Sequence, residues 1–196
     1  MTIDETYHHL LQLVSSERFI KMQGLNNEVP FFICPYPCKD TIAFSKMVNL
    51  LTKNLEQKEI VVLTINLYDL CIEMLTDRGV LEQILKKEQQ IAKDKLMELL
   101  TNVLDSEKHL APKIANVLSD KEYDVLFLTG VGEVYPHLRT HNVLNNLHST
   151  IKDHPTVIFF PGDYIHSNTG GSTLSLFSKL QTDKYYRAFN ILKCKV

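Results

Sequence analysis

Tryptophan is absent from this chain, and glycine and proline are each held to seven residues in 196. So few of either exclude a collagen-like or low-complexity polypeptide. Cysteine occurs four times, at Cys34, Cys38, Cys71 and Cys194. That is too few for a disulfide scaffold at this length. Cys34 and Cys38 form C-P-Y-P-C, not C-x-x-C, and no second pair or close histidine completes a zinc set. An excess of one charge is lacking too: 21 Lys and Arg face 23 Asp and Glu, a formal net charge of −2. With no basic run, the charge makes no case for nucleic acid or an anionic membrane. No apolar stretch reaches the roughly 18–20 residues of a membrane span. The N-terminus, MTIDETYHHLL, has no secretory layout. A cytoplasmic protein is therefore expected, folded as a single domain over residues 1–196 with a sizeable core.

What is present is alternation of strand and helix. Residues Ile3 to Met22 carry apolar side chains at spacings of three and four and read as a helix closed by Gly24 and Asn26-Asn27. Val29–Cys34 reads as a strand ended by Pro35 and Pro37, with Asp40 or Thr41 capping a helix from Ile42 to Leu55. A strand at Glu59–Ile65 exits at Asn66 into a helix to Leu75. Val80 to Leu104 reads as one long amphipathic helix with a charged outer face, and Leu110–Leu118 as a short one. Val125–Leu128 and Thr156–Phe160 are short apolar runs, hence buried strands. A helix from about Thr140 to Ile151 separates them. Leu174 to Leu180 suggests another short helix, and Tyr185–Leu192 a last strand. The expected fold is α/β: a mostly parallel sheet of about five strands with helices on both faces.

The loop after the first strand, Pro35-Tyr36-Pro37-Cys38-Lys39-Asp40-Thr41, stands where a phosphate-binding loop stands, yet it has no glycine and two prolines. A phosphate cradle needs successive inward N–H groups, and proline has none. Nucleotide hydrolysis is not expected there. The polar residues concentrate instead after Val125–Leu128. Thr129-Gly130-Val131-Gly132 breaks the run, and Glu133, Tyr135, His137, Arg139, His141 and Asn142 follow. In open α/β sheets, ligands and partners meet the protein outside the carboxyl ends of the strands. Glu133, His137 and His141 suggest acid–base or metal chemistry only if the two histidines share a helical face, and Pro136 favours a turn. Arg139 suits a partner's carboxylate or phosphate, or an internal salt bridge to Glu133 or Asp163. Pro161-Gly162-Asp163-Tyr164 leaves the next strand at the same edge. Thr169-Gly170-Gly171-Ser172-Thr173 suits an anion at a helix start, or a turn with a cap. Tyr186 and Arg187 are residue types that anchor interfaces.

Three stretches resemble one family: GVGEVYPHLRTHNVLNNL at 130–147, TVIFFPGDY at 156–164, and NTGGSTLSLF at 168–177 leading into DKYYRAFNIL at 183–192. They look like BrxB, a component of bacterial BREX (bacteriophage exclusion) systems, in matching order from about Arg18 onward. The resemblance implies a role in phage defence as a small non-catalytic adaptor. Its implied partners are the alkaline-phosphatase-like PglZ and, beyond it, the system's methyltransferase and ATPase. It also implies a degenerate P-loop-like, Rossmann-like three-layer sandwich and no cofactor. The competing expectation is residual nucleotide or nucleic-acid binding through Lys39, Arg139 and the Gly170-Gly171 loop. The family's motif positions with candidate interaction roles are Glu133, Tyr135, Arg139, His141, Asn142, Tyr164, Gly170, Gly171, Tyr186 and Arg187, to which His137 and Asp163 are added by position.

Overall fold

Side chains alternate across each strand, and this chain uses the alternation to build two cores on one sheet. Phe31, Ile33, Leu126, Leu128, Ile158 and Phe160 face one layer of helices. Phe32, Cys34, Val125, Phe127, Val157 and Phe159 face the other. The structure, a computed structural model, describes residues 1–23, 30–148, 150–167, 171–181 and 188–195.

Helix α1 (Ile3–Val14) starts in a capping box between Thr2 and Glu5. It stops at Ser15, and Ser16 caps a second short helix, α2 (Glu17–Ile20). The single helix expected through Met22 is thus divided. The Ser16 hydroxyl donates to the Leu13 carbonyl and accepts from the Phe19 N–H, offering the backbone an alternative to helical continuation. The expected closure at Gly24 and Asn26-Asn27 lies outside the described residues.

Strand β1 (Phe31–Tyr36) starts after Pro30 and ends two residues beyond the expected Cys34, and the expected start at Val29 lies outside the described residues. Pro35 stays within it, paired opposite Phe160, because the other neighbour of β1 reaches only Phe32 and Ile33. Pro37 ends the strand, a 3-10 turn follows over Cys38–Asp40, and α3 (Thr41–Glu56) crosses to β2 (Val62–Asn66). Neither Asp40 nor Thr41 caps α3 as expected. Asp40 makes no side-chain cap bond, and the Thr41 hydroxyl donates back to the Cys38 carbonyl at 2.7 Å. Asn66 does cap α4 (Leu67–Asp77), accepting from the N–H groups of Tyr68 and Asp69.

The long helix expected from Val80 to Leu104 is two helices, α5 (Leu81–Lys87) and α6 (Lys93–Val103), split by extended backbone at Ile91 and Ala92. A straight helix of 25 residues would run about 37 Å, beyond the core that its apolar stripe must cover. The polar run between the halves lets the chain double back. Arg78, just before α5, consequently donates to the Val103 carbonyl at the end of α6. Asp105 then caps a wide turn at Ser106–Leu110 that leads into α7 (Ala111–Ser119).

Strand β3 (Val125–Thr129) and helix α8 (Thr140–Leu147) follow, the helix ending before the expected Ile151. Strand β4 (Thr156–Ser167) is far longer than its expected Thr156–Phe160. Strands β1, β3 and β4 are parallel neighbours, and the parallel order across the sheet is β2-β3-β4-β1-β7, with β7 at Phe189–Asn190. From Gly162 onward β4 pairs antiparallel with β5 (Gly171–Leu176), which pairs in turn with β6 (Leu180–Gln181). The short helix expected from Leu174 to Leu180 is therefore a strand and a turn. Leu174 and Leu176 alternate inward, and Phe177 and Ser178 take positive φ of 55° and 56° to reverse the chain. Of the expected last strand, Tyr185–Leu192, only Phe189–Asn190 is strand among the described residues, and Ile191–Lys193 is a 3-10 turn capped by Asn190.

The strands with a helix on either side therefore give the expected mostly parallel α/β sandwich. Helices α1 to α3 pack on one face, and α4, α5, α7 and α8 on the other. No helix among the described residues is long and apolar enough to cross a membrane.

Candidate interaction site at the carboxyl edge of the sheet

The polar stretch after β3 is held down by its own apolar residues. Val131, Val134 and Leu138 recur at three and four and are buried against the α4–α8 core. The turn closes through the Glu133 N–H on the Gly130 carbonyl and the Leu138 N–H on the Val134 carbonyl. This inward ridge lifts Glu133, Arg139 and Asn142 into solvent.

Two glycines explain themselves by what a methyl group would meet. Gly130 has φ +74°, and an added Cβ would stand 2.3 Å from Asn66 Oδ1, the atom that caps α4. Gly132 lies under Pro161 and Phe177, whose nearest atoms would be 2.8 and 2.9 Å from a Cβ. The loop after β3 is thereby fitted to α4 on one side and to β4 and the β5–β6 turn on the other. Tyr135 meets the Phe177 ring edge-on at 6.2 Å between centroids. Gly162 is the third close fit: with φ +151°, its Cβ would lie 2.1 Å from the Ser175 carbonyl of β5.

The remaining expected site residues are dispersed. His137 is half-buried in the loop, and burial holds its imidazole below the usual pKa. His141 is buried on the inner side of α8. The two histidines do not share a helical face, since residues 131–137 form turns and α8 starts at Thr140. Among the described residues no group of three or more His, Cys, Asp or Glu side chains is placed to hold a metal. The internal salt bridge considered for Arg139 is not formed: it pairs with neither Glu133 nor Asp163 among the described residues. Asp163 is exposed on β4, while Tyr164 is half-buried and donates to the Ala188 carbonyl at 2.7 Å. Gly171 opens β5 opposite Ser167, so the glycine-rich segment leads into a strand and offers no helix start to an anion. Gly170, Tyr186 and Arg187 lie outside the described residues.

Beside the loop, a cleft of about 670 Å³ runs along β2, from the carboxyl ends of β2 and β3 to the end of α7. Its wall on the α3 side carries Tyr36 stacked on Phe44, 4.2 Å between centroids and 11° between planes. Burial pushes the Tyr36 hydroxyl up to about 12. The opposite wall is acidic, with Asp69 and Glu73 of α4, Asp120 at the end of α7 and Glu133 of the loop, against one lysine among the described residues, Lys121. Neither Lys39 nor Arg139 lines it. Reasoning from the sequence singled out Glu133 here and passed over Asp69, Asp120 and Thr64. The carboxylates are far apart in the chain, and the packing of α4, α7 and the strand-end loop around β2 brings them to one cleft.

The sequence model of one family, described as BREX protein BrxB, matches residues 63–191. That span starts inside β2 and takes in the acidic wall, the strand-end loop and the β4–β5 arm. The chain belongs to the BrxB family. A relative from Bacillus cereus (strain H3081.97), "BREX protein BrxB", is 30% identical over 195 residues, covering 97% of both chains. A second of the same name, from Escherichia coli O9:H4 (strain HS), is 28% identical over 179 residues, covering 91% of this chain and 86% of its own. No solved structure matches. The resemblance visible in the 130–147, 156–164 and 168–192 stretches is thus a family relationship, and it extends along 97% of the Bacillus relative.

Proposed function

We propose that this BrxB-family chain is a subunit of a BREX phage-defence assembly and acts without catalysis, as an adaptor that docks another BREX protein. PglZ, the alkaline-phosphatase-like component, is the first partner to test, with the methyltransferase and ATPase further along the same machinery. The observation that carries the reading is how the strand-end loop is built. Its glycines and apolar residues fix the backbone between α4 and β4, and Glu133, Arg139 and Asn142 stand exposed on that fixed base. A rigid base presenting arginine and polar side chains suits recognition, because little ordering entropy is lost on contact.

The test is co-purification with PglZ after co-expression, using wild type and Arg139→Ala, Glu133→Ala and Asn142→Ala. These three side chains are exposed, so their loss leaves the fold intact. Capture by wild type and loss in the loop variants is expected. No capture of PglZ or any other BREX protein by wild type removes the adaptor reading. Nucleotide or nucleic-acid binding is the reading to take up in that event, although the acidic wall beside the loop repels phosphate.

A further inference from the structure

β2 is the outermost strand of the parallel order. The Val61 carbonyl accepts from Asp124 and Val125 of the β3 side, so alternation turns the backbone groups of Val62 and Thr64 away from the sheet. Val61 is 52% exposed and Thr64 is exposed as well. Helix α3 crosses toward β2 without covering it, and the acidic cleft fills the space left uncovered. Unpaired edge groups are a template for an added strand. The charges of the cleft say what that strand must carry. Asp69, Asp120 and Glu133 share the cleft with one lysine among the described residues, Lys121, while Glu73 is already engaged by Lys113, 2.7 Å away, which also holds Asp77. The Tyr36–Phe44 stack lines the same cleft and gives it an aromatic wall.

We propose that the open edge of β2 and the adjoining cleft receive an extended basic segment of a partner protein, its arginine or lysine side chains meeting the carboxylates of Asp69, Asp120 and Glu133 along the cleft. The inference rests on the interaction reading above and names the chemistry of the partner segment. It separates this cleft from the nucleotide sites found at the same edge of other α/β sheets, which must attract phosphate.

The test measures binding of a fluorescently labelled peptide of alternating arginine and valine to the full chain by anisotropy. Controls are a glutamate-for-arginine peptide and a single-stranded oligodeoxynucleotide. Wild type binds the basic peptide and neither control, and binding weakens as salt rises. Thr64→Lys and Asp120→Asn, both at exposed positions, each weaken it tenfold or more. Glu88→Lys, on the exposed turn between α5 and α6, makes a larger charge change away from the cleft and leaves affinity within twofold. Equal affinity in wild type, Thr64→Lys and Asp120→Asn overturns the proposal, as does preference for the oligodeoxynucleotide. Circular dichroism confirms that each variant is folded. Failure here is distinct from failure of the adaptor reading. If PglZ co-purifies equally with wild type and Thr64→Lys, docking lies elsewhere and only this inference falls.

Discussion

Replacing Gly130 with alanine tests whether the strand-end loop and the α4 cap are one unit. The new Cβ would lie 2.3 Å from Asn66 Oδ1 and 3.1 Å from the Leu67 nitrogen. The backbone there has φ +74°, a left-handed conformation costing an L-residue about 1–2 kcal/mol. Asn66 must swing away and release the Tyr68 and Asp69 N–H groups, and a lost N-cap costs about 1 kcal/mol. The two contributions give about 2–3 kcal/mol, which for a domain of this size lowers Tm by roughly 4–12 °C. Urea unfolding of Gly130→Ala, Asn66→Ala and the double variant measures the coupling. Asn66→Ala alone costs about 1 kcal/mol. The double variant falls short of the summed losses by about 1 kcal/mol, because one cap cannot be lost twice. Strict additivity, or a Gly130→Ala loss within about 0.5 kcal/mol of wild type, would refute the claimed collision.

Three further expectations concern the body of the fold. Thr156 is fully buried and its hydroxyl has no hydrogen-bond partner among the described residues, so Thr156→Val removes an unsatisfied group and stabilises by about 1 kcal/mol, read as a raised urea midpoint. Burial raises the thiols of Cys34, of Cys71 (to about 12) and of Cys194. A disulfide reagent added to native protein should therefore modify Cys38 first and Cys194 slowly, and reach Cys34 and Cys71 only on unfolding, as peptide mapping would show. The Lys108 N–H, followed by that of Glu107, holds the Asp105 carboxylate below its usual pKa. A lowered carboxylate contributes stability above its unfolded value and loses it as pH falls through the folded one. Wild-type stability should therefore decline below about pH 4, and Asp105→Asn, which keeps a capping oxygen, should decline less steeply there.

The parallel sheet was legible because Val125–Leu128 and Thr156–Phe160 are apolar on both faces, as doubly covered strands must be. Breaks set by polar side chains were not legible. Ser16 ends a helix whose apolar spacing continues past it, and nothing in Lys86–Gln90 announces that the chain turns back. The β5 strand was hidden because Leu174, Leu176, Phe177 and Leu180 fit a helical face as well as a strand and a turn. At the site, the glycines and exposed polar residues of 130–142 marked the right loop. The carboxylates of Asp69 and Asp120 were invisible, since the packing of α4, α7 and the strand-end loop around β2 unites them and no local pattern does.

The length of β4 has one more consequence. A single run of backbone lies at the middle of the parallel sheet in its first half and forms the root of the β5–β6 arm in its second. Gly162 marks the changeover, wedged against β5 where no larger residue fits. A pull on the arm is therefore carried covalently into the centre of the molecule. It reaches the strand-end loop as well, because Phe177, beside Gly162 at the root of the arm, packs against Gly132 and Tyr135. A protein gripping the β5–β6 arm and one touching the loop would feel each other through a lever with no slack in it.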